Sequence, residues 1–220
     1  MTQRGEEEKE TGRVEAFSDG IFAIAMTLLI LDVKVPKPAA AGASGGLLAA
    51  LRGQWPTYLA YLTSFATILV MWVNHHKLFR HIRRSNDMLL FLNGLLLLFV
   101  TFVPFPTSLV ADYMLESEAG VAAAIFAGTY LALAVVFNML WLYASGKGRL
   151  LGTRADPMEV RAITRQYRFG PIFYAVAFVL AFFSVAASVG LCLLLALFFA
   201  LTGALTRVFG DRPSRTEISS

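Results

Sequence analysis

The chain has 220 residues, 57% of them hydrophobic and only 15% charged, with a mean hydropathy of +0.63 and a formal charge of +4 at pH 7. That is more apolar surface than a soluble domain of this length hides, and several unbroken apolar runs reach the ~20 residues that span a bilayer. The runs do not alternate, which argues against a β-barrel and for an all-α integral membrane protein, and the surplus of Lys and Arg then reads as a topology signal rather than as a nucleic-acid surface.

The first 12 residues are polar and Glu-rich, and read as a short disordered or amphipathic cytoplasmic tail. They do not look like a cleavable leader. The Ala23-Ile24-Ala25 triplet mimics a cleavage site, but cutting there would destroy the first helix. That helix is predicted over about 14–35, stopped by Pro36 and Pro38. Residues 36–54 read as a loop with a short helix at 46–52. A second span covers 55–79, with Trp55 and Tyr58 at one interface and a basic turn after it, Arg80 to Arg84.

The third span covers 87–110 and is bent or ended by Pro104 and Pro106. An acidic loop, 112–120, leads to a fourth span at 121–143. A basic linker follows over 146–168, in which Asp156-Pro157 marks a helix start. The last apolar stretch, 169–209, is too long for one span. Its small and polar segment 184–190 is predicted to turn, giving a fifth and a sixth span, and 210–220 form a polar tail. The whole chain is thus read as one six-span domain, 1–220. The lone Cys192 sits inside an apolar run and cannot form an internal disulfide.

Six spans put both termini on one side. Of the 19 Lys and Arg, all but Lys34, Lys37 and Arg52 then fall on that side. The positive-inside rule makes it cytoplasmic and implies a multi-pass protein of the cell (inner) membrane.

The first span carries unusual chemistry for an anchor. Arg13, Glu15, Ser18 and Asp19 crowd its cytoplasmic end, and ionisable groups in a membrane segment mark function by default. At 100° per residue, Phe17, Gly20, Ile24, Thr27, Leu28 and Leu31 share one face. Spacing alone does not separate a packing seam from a pore wall. Around an axis, Ile24, Leu28 and Leu31 would stack as hydrophobic rings that gate by dewetting. Thr27 then offers a hydroxyl to a cation, or else bonds back to the carbonyl of Ala23. Asp32, at the outer end, either concentrates cations or is a plain interfacial carboxylate.

Ser18 and Asp19 need partners in a low dielectric. Arg13, six residues before Asp19, lies on the other side of the helix and suits a different helix or subunit. Trp72, Asn74, His75 and His76 on the second span, with Asp87 and Asn93 on the third, come to the same membrane side. They imply a buried polar network joining the first three spans. His75, His76 and His81 are poorly spaced for a metal, because adjacent histidines point to different helix faces. No cofactor is expected.

Arg13-x-x-x-Phe17-Ser18-Asp19-Gly20, continuing through Ile24-Ala25-x-Thr27-Leu28, resembles the signature of the transmembrane protein 175 family of endosomal and lysosomal potassium channels and their prokaryotic homologues. Trp72-x-x-His75-His76 and Asn93 with Pro104-Phe105-Pro106 support the resemblance, which is strong over the first half. The second half adds Gly170-Pro171-Ile172-x-Tyr174. The resemblance implies a K⁺ channel lacking the Thr-Val-Gly-Tyr-Gly filter, with one six-span repeat per subunit, assembled as a homotetramer in membrane lipid. It implies that the first helix lines the pore, with Ile24 the narrowest ring, Leu28 and Leu31 above it, and Thr27 a K⁺-coordinating layer. It also implies that Arg13, Ser18 and Asp19 bond with Trp72, His75 and His76.

Other readings are a secondary transporter, a proton or non-selective cation channel, and a membrane enzyme using Ser18, Asp19 and His75. The first helix has no Pro and the chain shows no inverted repeat, which speaks against a transporter. A serine nucleophile needs a base within hydrogen-bond reach, which the sequence does not supply, so no enzyme activity is expected.

Overall fold

The computed structural model describes residues 3–146, 150–151 and 156–210. In chain order the helices are α1 (Gln3–Leu28), extended by a 3-10 turn (Leu29–Asp32), α2 (Pro38–Ala43), α3 (Leu47–Gly53), α4 (Trp55–His81), α5 (Asp87–Phe102), α6 (Pro104–Tyr113), α7 (Ala119–Ser145), α8 (Pro157–Leu180) and α9 (Val185–Gly210). Four stretches among the described residues are long and apolar enough to cross a membrane: Thr11–Asp32, Trp55–His81, Asp87–Tyr113 and Ala119–Ser145. The protein is therefore a multi-pass, helical membrane protein. The apolar run of α9, Val185–Ala200, is shorter, and the first half of α8 carries Arg161, Arg165 and Arg168.

Several boundaries differ from the sequence expectation. Residues 3–12 continue α1 rather than forming a disordered tail. The helix tightens into 3-10 geometry at Leu29, ahead of Pro36 and Pro38, where no continuing α-helix has to satisfy the last carbonyls. The loop holds α2 as well as the expected short helix. The turn between α8 and α9 falls at 181–184, not at 184–190. Ser184 is the reason: its hydroxyl accepts from the Ala187 N–H at 3.3 Å, starting α9 as a cap. Ser188, inside α9, stays helical because its buried hydroxyl donates to the Ala177 carbonyl of α8 at 2.8 Å. The tail beyond Gly210 lies outside the described residues.

The third span breaks where its prolines require. Pro104 has no N–H and its ring clashes with the preceding turn, so α5 ends at Phe102 and α6 restarts at Pro104 itself. Asn86 caps α5 by accepting from the Leu89 N–H at 2.9 Å, and Asp156 caps α8 by accepting from Met158 at 2.8 Å, as its sequence predicts.

α7 forms the middle of the bundle, packed against α5, α6, α8 and α9. Its small residues admit close neighbours: at Gly128 an added methyl would stand 3.3 Å from the Phe178 ring of α8. Its large residues, Phe126, Tyr130, Leu133, Leu140 and Trp141, are fully buried. Polar clasps tie the bundle together. The Tyr130 hydroxyl donates to Ser64 at 2.9 Å, and Ser64 lies 2.7 Å from the Thr107 hydroxyl, joining α7, α4 and α6. Trp141 Nε1 donates to Thr164 at 2.8 Å, joining α7 to α8. With no water to serve these groups inside a bilayer, such internal pairing is what lets them be there.

Candidate functional site

α1 presents two unlike faces. Ser18, Phe22, Ala25 and Leu29 are fully buried against α4 and α5. Phe17, Ile24, Leu28 and Leu31 are 65%, 57%, 42% and 69% exposed, and Gly20 and Thr27 are exposed with them. The face picked out by helical periodicity is thus one continuous unpartnered stripe within the single chain.

The buried face is held by a directed chain of hydrogen bonds. The Ser18 hydroxyl donates to the Val14 carbonyl one turn earlier, at 2.8 Å. Its proton is thereby committed, so it accepts from Asn93 Nδ2 at 3.0 Å. That orients the Asn93 amide, whose Oδ1 accepts from His75 Nε2 at 2.9 Å. The order assigns the His75 proton to Nε2. The ring stacks on Phe79 with centroids 4.4 Å apart and tilts against Phe22 at 5.4 Å, while its buried Nδ1 bonds nothing among the described residues. Beside this chain Trp72 Nε1 donates to Asp19 Oδ1 at 2.9 Å. His76 Nδ1 stands 2.7 Å from Glu15 Oε1, close enough for an ion pair but without the alignment of a full hydrogen bond.

The structure thus brings together Ser18, Asp19, Trp72, His75 and Asn93 as the sequence anticipates, with His76 at the edge on Glu15. It does not bring in Arg13, which is exposed and bonds nothing among the described residues. Nor does it bring in Asp87, which is exposed in the first turn of α5. Glu15 was missed as a partner, although it sits one turn before Asp19 and so on the same side of α1. Thr27 bonds back, but to the Ile24 carbonyl at 2.8 Å, one residue on from the Ala23 expectation. Asp32 is neither free nor plainly exposed: the Ser108 hydroxyl of α6 donates to its Oδ2 at 2.7 Å. The helix is consequently pinned at both ends on one side and bare along the other. Among the described residues no three His, Cys, Asp or Glu side chains converge as a metal site.

This geometry defines a class: a multi-pass membrane protein whose first span is held by polar contacts on one face and offers an apolar stripe on the other. The chain belongs to the TMEM175 family. Residues 13–104 match the family described as "Endosomal/lysosomal potassium channel TMEM175". A potassium channel of Chamaesiphon minutus is 56% identical over 195 residues, covering 89% of this chain and 96% of that protein. A potassium channel of Streptomyces collinus is 46% identical, covering 86% of this chain and 91% of that protein. The human endosomal/lysosomal proton channel TMEM175 is 38% identical over 138 residues, covering 60% of this chain and 27% of its own length. The crystal structure of a lysosomal potassium-selective channel TMEM175 homolog from Chamaesiphon minutus superimposes with a TM-score of 0.81 at 53% identity, covering 89% of this chain and 98% of that one.

Proposed function

We propose that this chain is a potassium-selective or potassium-preferring channel, in which α1 from each of four subunits lines a pore narrowed by Ile24, Leu28 and Leu31. Each subunit contributes six spans, with both termini cytoplasmic, in the cell (inner) membrane. Arg13 takes its partner from a neighbouring subunit. The reading is carried by one observation: Phe17, Ile24, Leu28 and Leu31 form a single exposed apolar stripe, opposite a face fixed by hydrogen bonds to α4 and α5. A lipid-facing span has no need of such fixed rotation, whereas a pore wall does. The potassium-channel relatives of nearly equal length support the choice of ion. Thr27, between Ile24 and Leu28 on the same face, supplies the oxygen layer that replaces part of the ion's water shell.

The test is cation flux from liposomes holding the purified protein under a K⁺/Na⁺ gradient. The reversal potential should lie toward that of K⁺. Ile24→Ala should raise the flux several-fold by widening the narrowest ring. An unchanged flux would remove Ile24 from the pore, and saturating flux coupled to a second ion would replace the channel with a transporter.

The human relative's name favours one second reading, a proton-conducting mode. A reversal potential that follows an imposed pH gradient at equal K⁺ would support it.

A further inference from the structure

Between α4, α7, α8 and α9 lies a partly open cavity of about 60 Å³. Its wall is mostly apolar, built by Ala134 and Phe137 of α7 and Ala196 of α9, among others. Among the described residues no charged side chain lines it, so a charged guest would meet no counterion there. Four polar side chains line it: the Thr67 hydroxyl of α4 already donates to the Thr63 carbonyl at 2.7 Å and the Tyr167 hydroxyl of α8 to the Asn74 carbonyl at 3.5 Å, which leaves the side chains of Asn74 of α4 and Tyr174 of α8. Tyr174 is 4% exposed, and its hydroxyl has no hydrogen-bond partner among the described residues. An unpaired hydroxyl at this depth in a membrane protein is costly. Tyr130, another buried tyrosine of the bundle core, shows how it is normally met, by donating to Ser64.

The volume admits roughly four to six water-sized groups. Filling it with water would demand two to four polar partners for each molecule, and the wall supplies few. A single hydroxyl on a compact apolar body matches the lining better. We infer that the cavity between α4, α7, α8 and α9 is a binding site for a small uncharged alcohol, its hydroxyl paired with Tyr174 and its hydrocarbon lying against Ala134, Phe137 and Ala196. This gives Tyr174, the last residue of the Gly170-Pro171-Ile172-x-Tyr174 motif, a role that the pore reading leaves unassigned. The site also backs directly onto the α4 segment that carries His75, so an occupant touches the support of α1 without entering the pore.

The test is photolabelling of the purified full chain in detergent with 3-azibutanol, a four-carbon alcohol bearing a diazirine, with adducts mapped by mass spectrometry. Adducts are expected on Tyr174 and its cavity neighbours, saturable and reduced at least fivefold by excess 1-butanol. Ala134→Leu and Ala196→Leu, which fill the space, should each lower that labelling about fivefold. Tyr174→Phe should lower it about threefold while leaving the gel-filtration profile unchanged. If one filling variant fails to fold, the other and the butanol competition decide. Labelling that is unsaturable, that spreads evenly over the exposed faces of α1 and α5, or that survives filling would overturn the site. The readout needs no ion conduction, so a protein that passes no K⁺ but is labelled in this way would sink the channel reading and leave the alcohol site standing.

Discussion

The two faces of α1 are made from the same 20 or so residues, yet they answer to different constraints. On one, Ser18, Phe22, Ala25 and Leu29 lose all contact with solvent, and the Ser18 hydroxyl and Asp19 Oδ1 beside them are matched by named partners on α4, α5 or α1 itself. On the other, Ile24, Leu28 and Leu31 touch little within their own chain. A side chain on the first face is answerable to the fold of the subunit. A side chain on the second is answerable to whatever passes or packs there. Stability and conduction should therefore separate cleanly along this one helix.

The sharpest way to break the contrast is Asn93→Ala. It strips the acceptor from His75 Nε2 and the donor from the Ser18 hydroxyl, which keeps only its bond to the Val14 carbonyl; both residues are fully buried. Chemical or thermal unfolding in detergent should show a loss of about 2–3 kcal/mol. Trp72→Phe keeps the ring and deletes only the donor to Asp19. A bond to a carboxylate in this half-buried setting should be worth about 1.5 kcal/mol by the same measurement. Ser108→Ala releases Asp32 at the outer end; because Asp32 retains access to solvent, the loss should be about 0.5–1 kcal/mol. Ile24→Ala, on the bare face, should leave unfolding within about 0.5 kcal/mol of the parent while changing flux most. A large stability loss from Ile24→Ala in the monomeric, detergent-dispersed protein would erase the distinction between the faces.

Much of this arrangement is readable from the chain. The four membrane-length helical stretches follow from apolar runs and prolines, because in a bilayer an apolar run has few alternatives to a helix. The exposed stripe follows from periodicity, and the meeting of Ser18 and Asp19 with Trp72, His75 and Asn93 follows from topology plus the cost of burying polar atoms unpaired. What escaped has physical causes too. Small and polar residues at 184–190 look weak for a helix, so the sequence points to a turn there rather than at 181–184. Ser188 is in fact served by a carbonyl of α8, a cross-helix partner that no local pattern reveals. The Glu15–His76 and Ser108–Asp32 contacts depend on the rotation of whole helices about their axes. The hydroxyl trio of Ser64, Thr107 and Tyr130 joins positions 43 and 66 residues apart, and Ser and Thr in a span read equally well as local back-bonding groups. Arg13 shows the converse, since its motif is plain in the sequence while it bonds nothing among the described residues.

The corner at Pro104 has a mechanical consequence. Ser108 lies four residues along α6 from that corner, an arm of about 6 Å. A tilt of α6 by ~10° would carry its hydroxyl sideways by about 1 Å, which is near the stretch that takes a 2.7 Å contact out of hydrogen-bonding range. The tie to Asp32 thus behaves as a short tether on a hinged arm. It sets how far the end of the bundle around Pro104 can swing before α1 is let go at Asp32, while the Asp19 and Ser18 attachments, beyond the reach of that arm, stay where they are.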